Sequence, residues 1–138
     1  MAFINSMSSA LALAGGLFLA QPALAAPAAA PVSVATLMTK AMADHPGKEI
    51  LVITVDFAPG AVDPVHRHDA HAVVYVLEGS IVMGVKGGKE QVVNTGQTFY
   101  EGPQDLHTVG RNASKTKPAK FLVFLVKDAG KPFFIPVK

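Results

Sequence analysis

The chain has no cysteine and no tryptophan among its 138 residues. Without cysteine there is no disulfide framework, no thiol nucleophile and no thiolate metal site, so any metal chemistry must rest on imidazole and carboxylate groups. Charge is also missing from the start of the chain. Lys40 is the first charged side chain, and the net charge of +2 belongs to residues 40–138. The lysines there are dispersed, with one loose group at Lys115, Lys117 and Lys120. That group reads as a solvated loop and not as a nucleic-acid surface. Beyond the N-terminal segment no apolar run approaches the ~18 residues of a membrane span. A chain of this length provides for one domain with one core.

The N-terminal segment has the plan of a secretory signal. Ala10 to Ala20 (ALALAGGLFLA) is a short apolar stretch, and it leads to Ala23-Leu24-Ala25, the small-x-small form that signal peptidase accepts. The preceding MAFINSMSS departs from the usual pattern, because it carries no Lys or Arg. Residues 1–25 are expected to be a cleaved signal peptide, residues 26–31 an Ala/Pro-rich tether, and residues 32–138 the folded domain. The mature protein is then expected in a bacterial periplasm or secreted, with no membrane attachment once the signal is gone.

From Val32 the pattern turns to short β-segments. Strands are expected at Val34 to Lys40, Glu49 to Phe57, Val73 to Leu77, Ser80 to Val85, Lys89 to Asn94, Gln97 to Glu101, Lys120 to Lys127 and Phe133 to Val137. Turn residues separate them: Asp44-His45-Pro46-Gly47, Ala58-Pro59-Gly60, Glu78-Gly79 as a hairpin turn, Gly87-Gly88, and Gly102-Pro103. His45 belongs to the first of these turns and is read as a loop residue. Short, regularly spaced strands without helical periodicity predict an all-β sandwich or jelly-roll barrel.

Within this pattern His66 and His68 lie two residues apart in an extended stretch, so strand alternation puts both on one face. Both rings can then turn towards one point, which suits ligation of a divalent metal. A third histidine, His107, comes after the Gly102-Pro103 turn. Gly60, His66, His68 and Gly79, with Gly96, Pro103, His107 and Asn112 further on, resemble the two motifs of the cupin family. The resemblance implies a double-stranded β-helix, the cupin jelly-roll barrel, over about Val32 to Val137. It also implies that His66, His68 and His107 are metal ligands.

The family has a glutamate ligand where this chain has Ala72. Two groups could take its place. Glu101 shares parity with Phe99, the natural inward residue, so its carboxylate would enter the barrel. His71 is next to the vacant position, but it needs a bulge to turn inward. Glu101 is the preferred fourth ligand, with a role as general base, and His71 is the alternative. Arg67 and Glu78 are expected at the surface, and Tyr75, Phe99 and Tyr100 in the core or pocket wall. The sequon Asn112-Ala113-Ser114 is read as chance.

The resemblance implies a divalent transition metal (Fe, Mn, Ni, Cu or Zn) and a small-molecule ligand or substrate. The implied activity is dioxygenase-like, of the quercetinase type, with isomerase or decarboxylase chemistry as variants. A non-catalytic periplasmic module binding a small molecule or metal is the alternative, because fold alone does not specify function. A homodimer is expected by the same resemblance. The processing site is directly testable: intact mass of protein taken from cells should give a mature form beginning at Ala26, and a full-length cytosolic product would overturn the signal reading.

Overall fold

The computed structural model describes residues 31–137; the expected signal segment and residues 26–30 of the tether lie outside the described residues. The described chain forms ten strands: β1 (Val32–Ala41), β2 (Lys48–Phe57), β3 (His66–Arg67), β4 (Ala70–Glu78), β5 (Ser80–Val85), β6 (Gln91–Asn94), β7 (Thr98–Glu101), β8 (His107–Asn112), β9 (Ala119–Asp128) and β10 (Ile135–Pro136). They make two five-stranded sheets, in the orders β1-β2-β9-β4-β7 and β10-β3-β8-β5-β6. Every pairing is antiparallel. This is the all-β double-stranded β-helix that the strand pattern and motifs imply.

The sheets close on each other because each strand alternates. On β4, Ala70, Ala72, Val74 and Val76 are buried while His71, Val73, Tyr75 and Leu77 are exposed. On β9, Phe121, Val123 and Leu125 point inward. They pack with Leu51, Ile53, Val55 and Phe57 of β2 and with Ile81, Met83 and Val93 from the opposite sheet in one core. Phe57 and Phe121 meet edge to face at 5.0 Å, the preferred geometry for two aromatic quadrupoles. At the far end of β9, Lys127 is also inward, and its ammonium is held by Glu49 and the carbonyl of Asp128. That pairing satisfies a charge that burial would otherwise penalise.

Three expectations change. Glu78-Gly79 is not a hairpin turn: β4 pairs with β7 and β9, whereas β5 pairs with β6 and β8. The chain crosses between sheets there, and Gly79 permits the crossing with φ of 72°. A Cβ at this position would lie 2.7 Å from the Pro118 carbonyl oxygen. Second, Tyr75 and Tyr100 are neither core nor pocket wall. They are 43% and 55% exposed, because alternation sends them to the outer face while Phe99 is buried. Third, β3 and β8, which carry all three motif histidines between them and the corner after β3, are not evident as strands from the sequence. The two-residue β3 is too short to show a period.

Asn112 is the residue that ties the corners together. It is 5% exposed. Its amide donates to the carbonyls of Phe57, Ala58 and Lys117 at 3.3, 3.0 and 2.8 Å. Its Oδ1 accepts from the Ser114 amide at 2.8 Å. The nitrogen that a glycan would need is thus buried and bonded, which gives the chance reading of the sequon a physical reason. Asn112→Ala should destabilise the protein by roughly 2–4 kcal/mol in urea unfolding, since it removes four hydrogen bonds made by one buried amide. A change below about 0.5 kcal/mol would mean that these bonds are dispensable.

Candidate metal centre

The two sheets bring paired positions to one place. In one sheet His66 of β3 is the register partner of His107 of β8. In the other, Ala72 of β4 is the register partner of Glu101 of β7. His68 lies at the corner where the chain passes from β3 to β4. The next residue, Asp69, takes the left-handed conformation with φ of 46°, which aspartate tolerates better than most residues. Arg67 points away, with its Nε 3.3 Å from Asp69 Oδ1.

His66, His68, Glu101 and His107 each offer a ligand atom, and these atoms lie within 4.8 Å of one another. His66 Nε2 is 3.3 Å from His68 Nε2 and 3.3 Å from His107 Nδ1. Glu101 Oε2 is 3.2 Å from His68 Nε2 and 3.5 Å from His107 Nδ1. Donor atoms bound at about 2.0–2.2 Å to one central ion stand at about these separations. Alternation puts His66 and His68 on one face and Glu101 inward, the motif adds His107, and the structure brings the four together. It leaves His71 outside: that side chain is exposed, and its Nδ1 hydrogen-bonds the Tyr100 hydroxyl at 2.7 Å. The left-handed turn at Asp69 does not reverse its parity.

The hydrogen bonds around the rings fix what each can do. His66 Nδ1–H donates to the Pro64 carbonyl at 2.8 Å, and His68 Nδ1–H donates to the Phe133 carbonyl at 2.6 Å. A carbonyl only accepts, so in the neutral rings both Nε2 atoms present lone pairs. Two such lone pairs face each other and the Glu101 carboxylate with no hydrogen between the rings. A positive charge at the centre, a proton or a metal ion, satisfies these lone pairs, whereas a neutral His107 does so only in part, by donating from Nδ1 to His66 or Glu101. His107 directs Nδ1 at the cluster, and its other ring nitrogen, Nε2, is buried without a partner.

Titration follows the same geometry. Burial pushes His66 down to about 4, aided by the neighbouring His107 and His68 and opposed by the Pro64 carbonyl. Burial also holds His107 below its ordinary value. Burial would lower His68 as well, but the hydrogen bond and charge of Glu101 outweigh it and hold that ring above its ordinary value. Burial would raise Glu101, yet the His68 hydrogen bond and the three nearby rings keep it below the usual carboxylate range.

Two groups escape a reading of the sequence. Asp63, three residues before His66, lines the cavity beside the cluster. Burial lifts its carboxyl to about 6, with His68 opposing that and Glu101 adding to it. Only its position in a loop before the first histidine hints at this. The C-terminal strap is the other group. Phe134 stacks on His66 with centroids 4.3 Å apart, and Phe133 supplies the carbonyl that orients His68. The cavity measures about 310 Å³ and is otherwise lined by apolar side chains such as Ile53, Val74 and Met83.

The match with known proteins covers the same part of the chain. A family model described as a cupin domain matches residues 53–125. An oxalate oxidase (GF-3.8) of Triticum aestivum is 31% identical over 107 residues, covering 70% of this chain and 47% of its own. The pectin degradation protein KdgF of Dickeya dadantii (strain 3937) is 31% identical over 62 residues, covering 44% of this chain and 56% of its own. The chain thus spans about half the length of these curated relatives. Among solved structures, an oxalate oxidase in complex with the substrate analogue glycolate matches with a TM-score of 0.57 and 27% identity, covering 80% of this chain and 57% of that one. The TT1209 protein of Thermus thermophilus matches with a TM-score of 0.56 and 25% identity, covering 70% and 83%.

The metal-free state has a definite pH signature. His66 has a folded pKa below its unfolded value, so its contribution is present above about 6.5 and is lost as pH falls towards 4. Asp63 has a raised pKa, so its contribution is present below 3.8 and is lost as pH rises towards 6. The two slopes oppose each other between about 4 and 6. Histidine NMR of metal-free protein should show His66 neutral at about pH 5.5 and His68 titrating above its ordinary value. An imidazolium at His66 under those conditions would contradict the burial argument.

Proposed function

The chain belongs to the cupin family, and from that premise we propose that it is a metal-dependent oxidoreductase, dioxygenase-like, acting on a small organic molecule. The observation that carries this reading is the convergence of three imidazoles and one carboxylate, all buried, beside an apolar cavity. Similarity to oxalate oxidases supports redox chemistry on a small oxygen-bearing substrate. His66, His68, His107 and Glu101 would hold one divalent transition ion. Such an ion, when bound, supplies Lewis-acid or redox chemistry at its open positions.

The chain's own residues do the rest. The carbonyls of Pro64 and Phe133 hold two rings with their lone pairs inward, as orienting groups around metal-bound histidines do. Glu101 is the one carboxylate in the cluster, buried with its Oε2 3.2 Å from His68 Nε2, so it accepts from that ring when the ring is protonated. The walls beside the cluster are mostly hydrocarbon, and a surround of low polarity strengthens charge interactions. Absence of the family glutamate at Ala72 would favour a non-catalytic module, but Glu101 enters from directly across the ladder. Export through the N-terminal signal and pairing of two copies complete the proposal. The exposed Val73, Tyr75 and Tyr100 on the outer sheet face are surfaces that a second copy would cover.

Metal titration separates the two fourth-ligand candidates. Glu101→Gln should weaken affinity on the order of 10–100-fold, the scale associated with loss of a group supporting a metal. His71→Ala should bind like wild type, with circular dichroism confirming that each variant is folded. Oxygen uptake by the metal-loaded protein with flavonol and diketone panels then tests the activity. Full occupancy in His107→Ala would remove the basis for the site, and a loaded protein inert to every substrate would favour the binding module.

A further inference from the structure

Asp63 is a carboxylate that nothing in the metal cluster requires. It lines the same cavity as the four cluster residues. Among the described residues no hydrogen bond or ion pair reaches its side-chain oxygens, while its backbone amide is anchored to the Gly110 carbonyl at 2.8 Å. Gly110 leaves it room: a Cβ there would lie 3.1 Å from His107 Cε1 and 3.3 Å from Asp63 Cβ. The close packing of strand β8 against the Asp63 loop thus sets this carboxylate beside the cluster.

The rest of the lining is the second observation. Neither lysine nor arginine faces this cavity among the described residues, and Ile53, Val55, Val74, Met83, Phe121 and Phe133 provide most of its walls. Glu101 and Asp63 together already balance one divalent ion. A dicarboxylate would add two negative charges to a mostly apolar cavity that offers no lysine or arginine to receive them, which is penalised. A hydroxyl, in contrast, can donate to an unpartnered carboxylate and satisfy it.

Resting on the metal site proposed above, we propose that the cavity takes an uncharged, largely hydrocarbon molecule whose hydroxyl donates to Asp63, and that it turns away small dicarboxylates. The chain would then differ in substrate class from the oxalate oxidases that it resembles. Asp63 is the residue that sets this specificity.

Calorimetric titration of zinc-loaded protein with α-hydroxyacetophenone and with oxalate tests the proposal, zinc being redox-inert. Wild type should bind the hydroxyketone at least about tenfold more tightly than oxalate. Asp63→Asn keeps the shape and removes the charge. It should weaken the hydroxyketone and strengthen oxalate, each by about tenfold. Asp63→Ala serves as a second variant, and matching melting curves establish that both are folded. Tighter oxalate binding by wild type, or an unchanged ratio in the folded variants, overturns the proposal. Zinc stoichiometry is measured first. A chain that takes up no zinc overturns the metal reading alone, and the same titrations on that zinc-free chain then decide this one by the same ratio.

Discussion

Four electron-pair donors converge inside this barrel with no hydrogen among the two imidazole nitrogens that face each other. The Pro64 and Phe133 carbonyls take the Nδ1 protons of His66 and His68, and so force both Nε2 lone pairs inward. Hydrophobic burial closes the barrel around that arrangement but cannot relieve it. A proton on His68 relieves it in part, which is why that ring alone is held above its ordinary value while His66 and His107 are held below. A divalent ion would relieve it fully. The surrounding fold works as a rigid frame for this one electrostatic requirement, because two sheets fix the donor atoms from opposite sides.

How the carboxylate reaches the cluster shows the freedom that a β-frame allows. Position 72 and position 101 are register partners on adjacent strands, both inward. A side chain at either can address the same point, so a small residue at one position leaves space for a longer one at the other. Ala72 is fully buried, and Glu101 fills the space in front of it. Three imidazoles and a carboxylate can therefore converge with the carboxylate on either of the two strands. The same parity rule excludes His71, one residue away in sequence but on the far face.

Much of this is legible in the sequence because alternation is local. The Phe99/Glu101 parity and the His66/His68 spacing need only a period of two, and the structure preserves both. The features that are not legible depend on non-local pairing. Glu78-Gly79 has hairpin chemistry, yet the strands on either side join different sheets, since both Val74 and Ile81 must reach one core from opposite sides. Aromatic character argues for Tyr75 and Tyr100 inside, where parity puts them outside. Asp63 carries no motif, and its meaning comes only from the cavity that strands of both sheets build beside it.

The C-terminal strap reads in the sequence only as an edge, and its role follows from where β10 docks. Ile135 and Pro136 pair with Arg67 and His66, and the Val137 amide donates to the Val65 carbonyl at 3.0 Å. This places Phe134 flat on His66 and aims the Phe133 carbonyl at His68. Two of the three histidines are thus positioned by residues more than sixty places away in sequence. Phe133 also lines the cavity, so the strap that orients the ligands shapes the space a substrate would occupy. Orientation of the cluster's imidazoles and the shape of the cavity are therefore coupled through one short edge strand. A substitution there would change both together, although the strap contributes no ligand atom of its own.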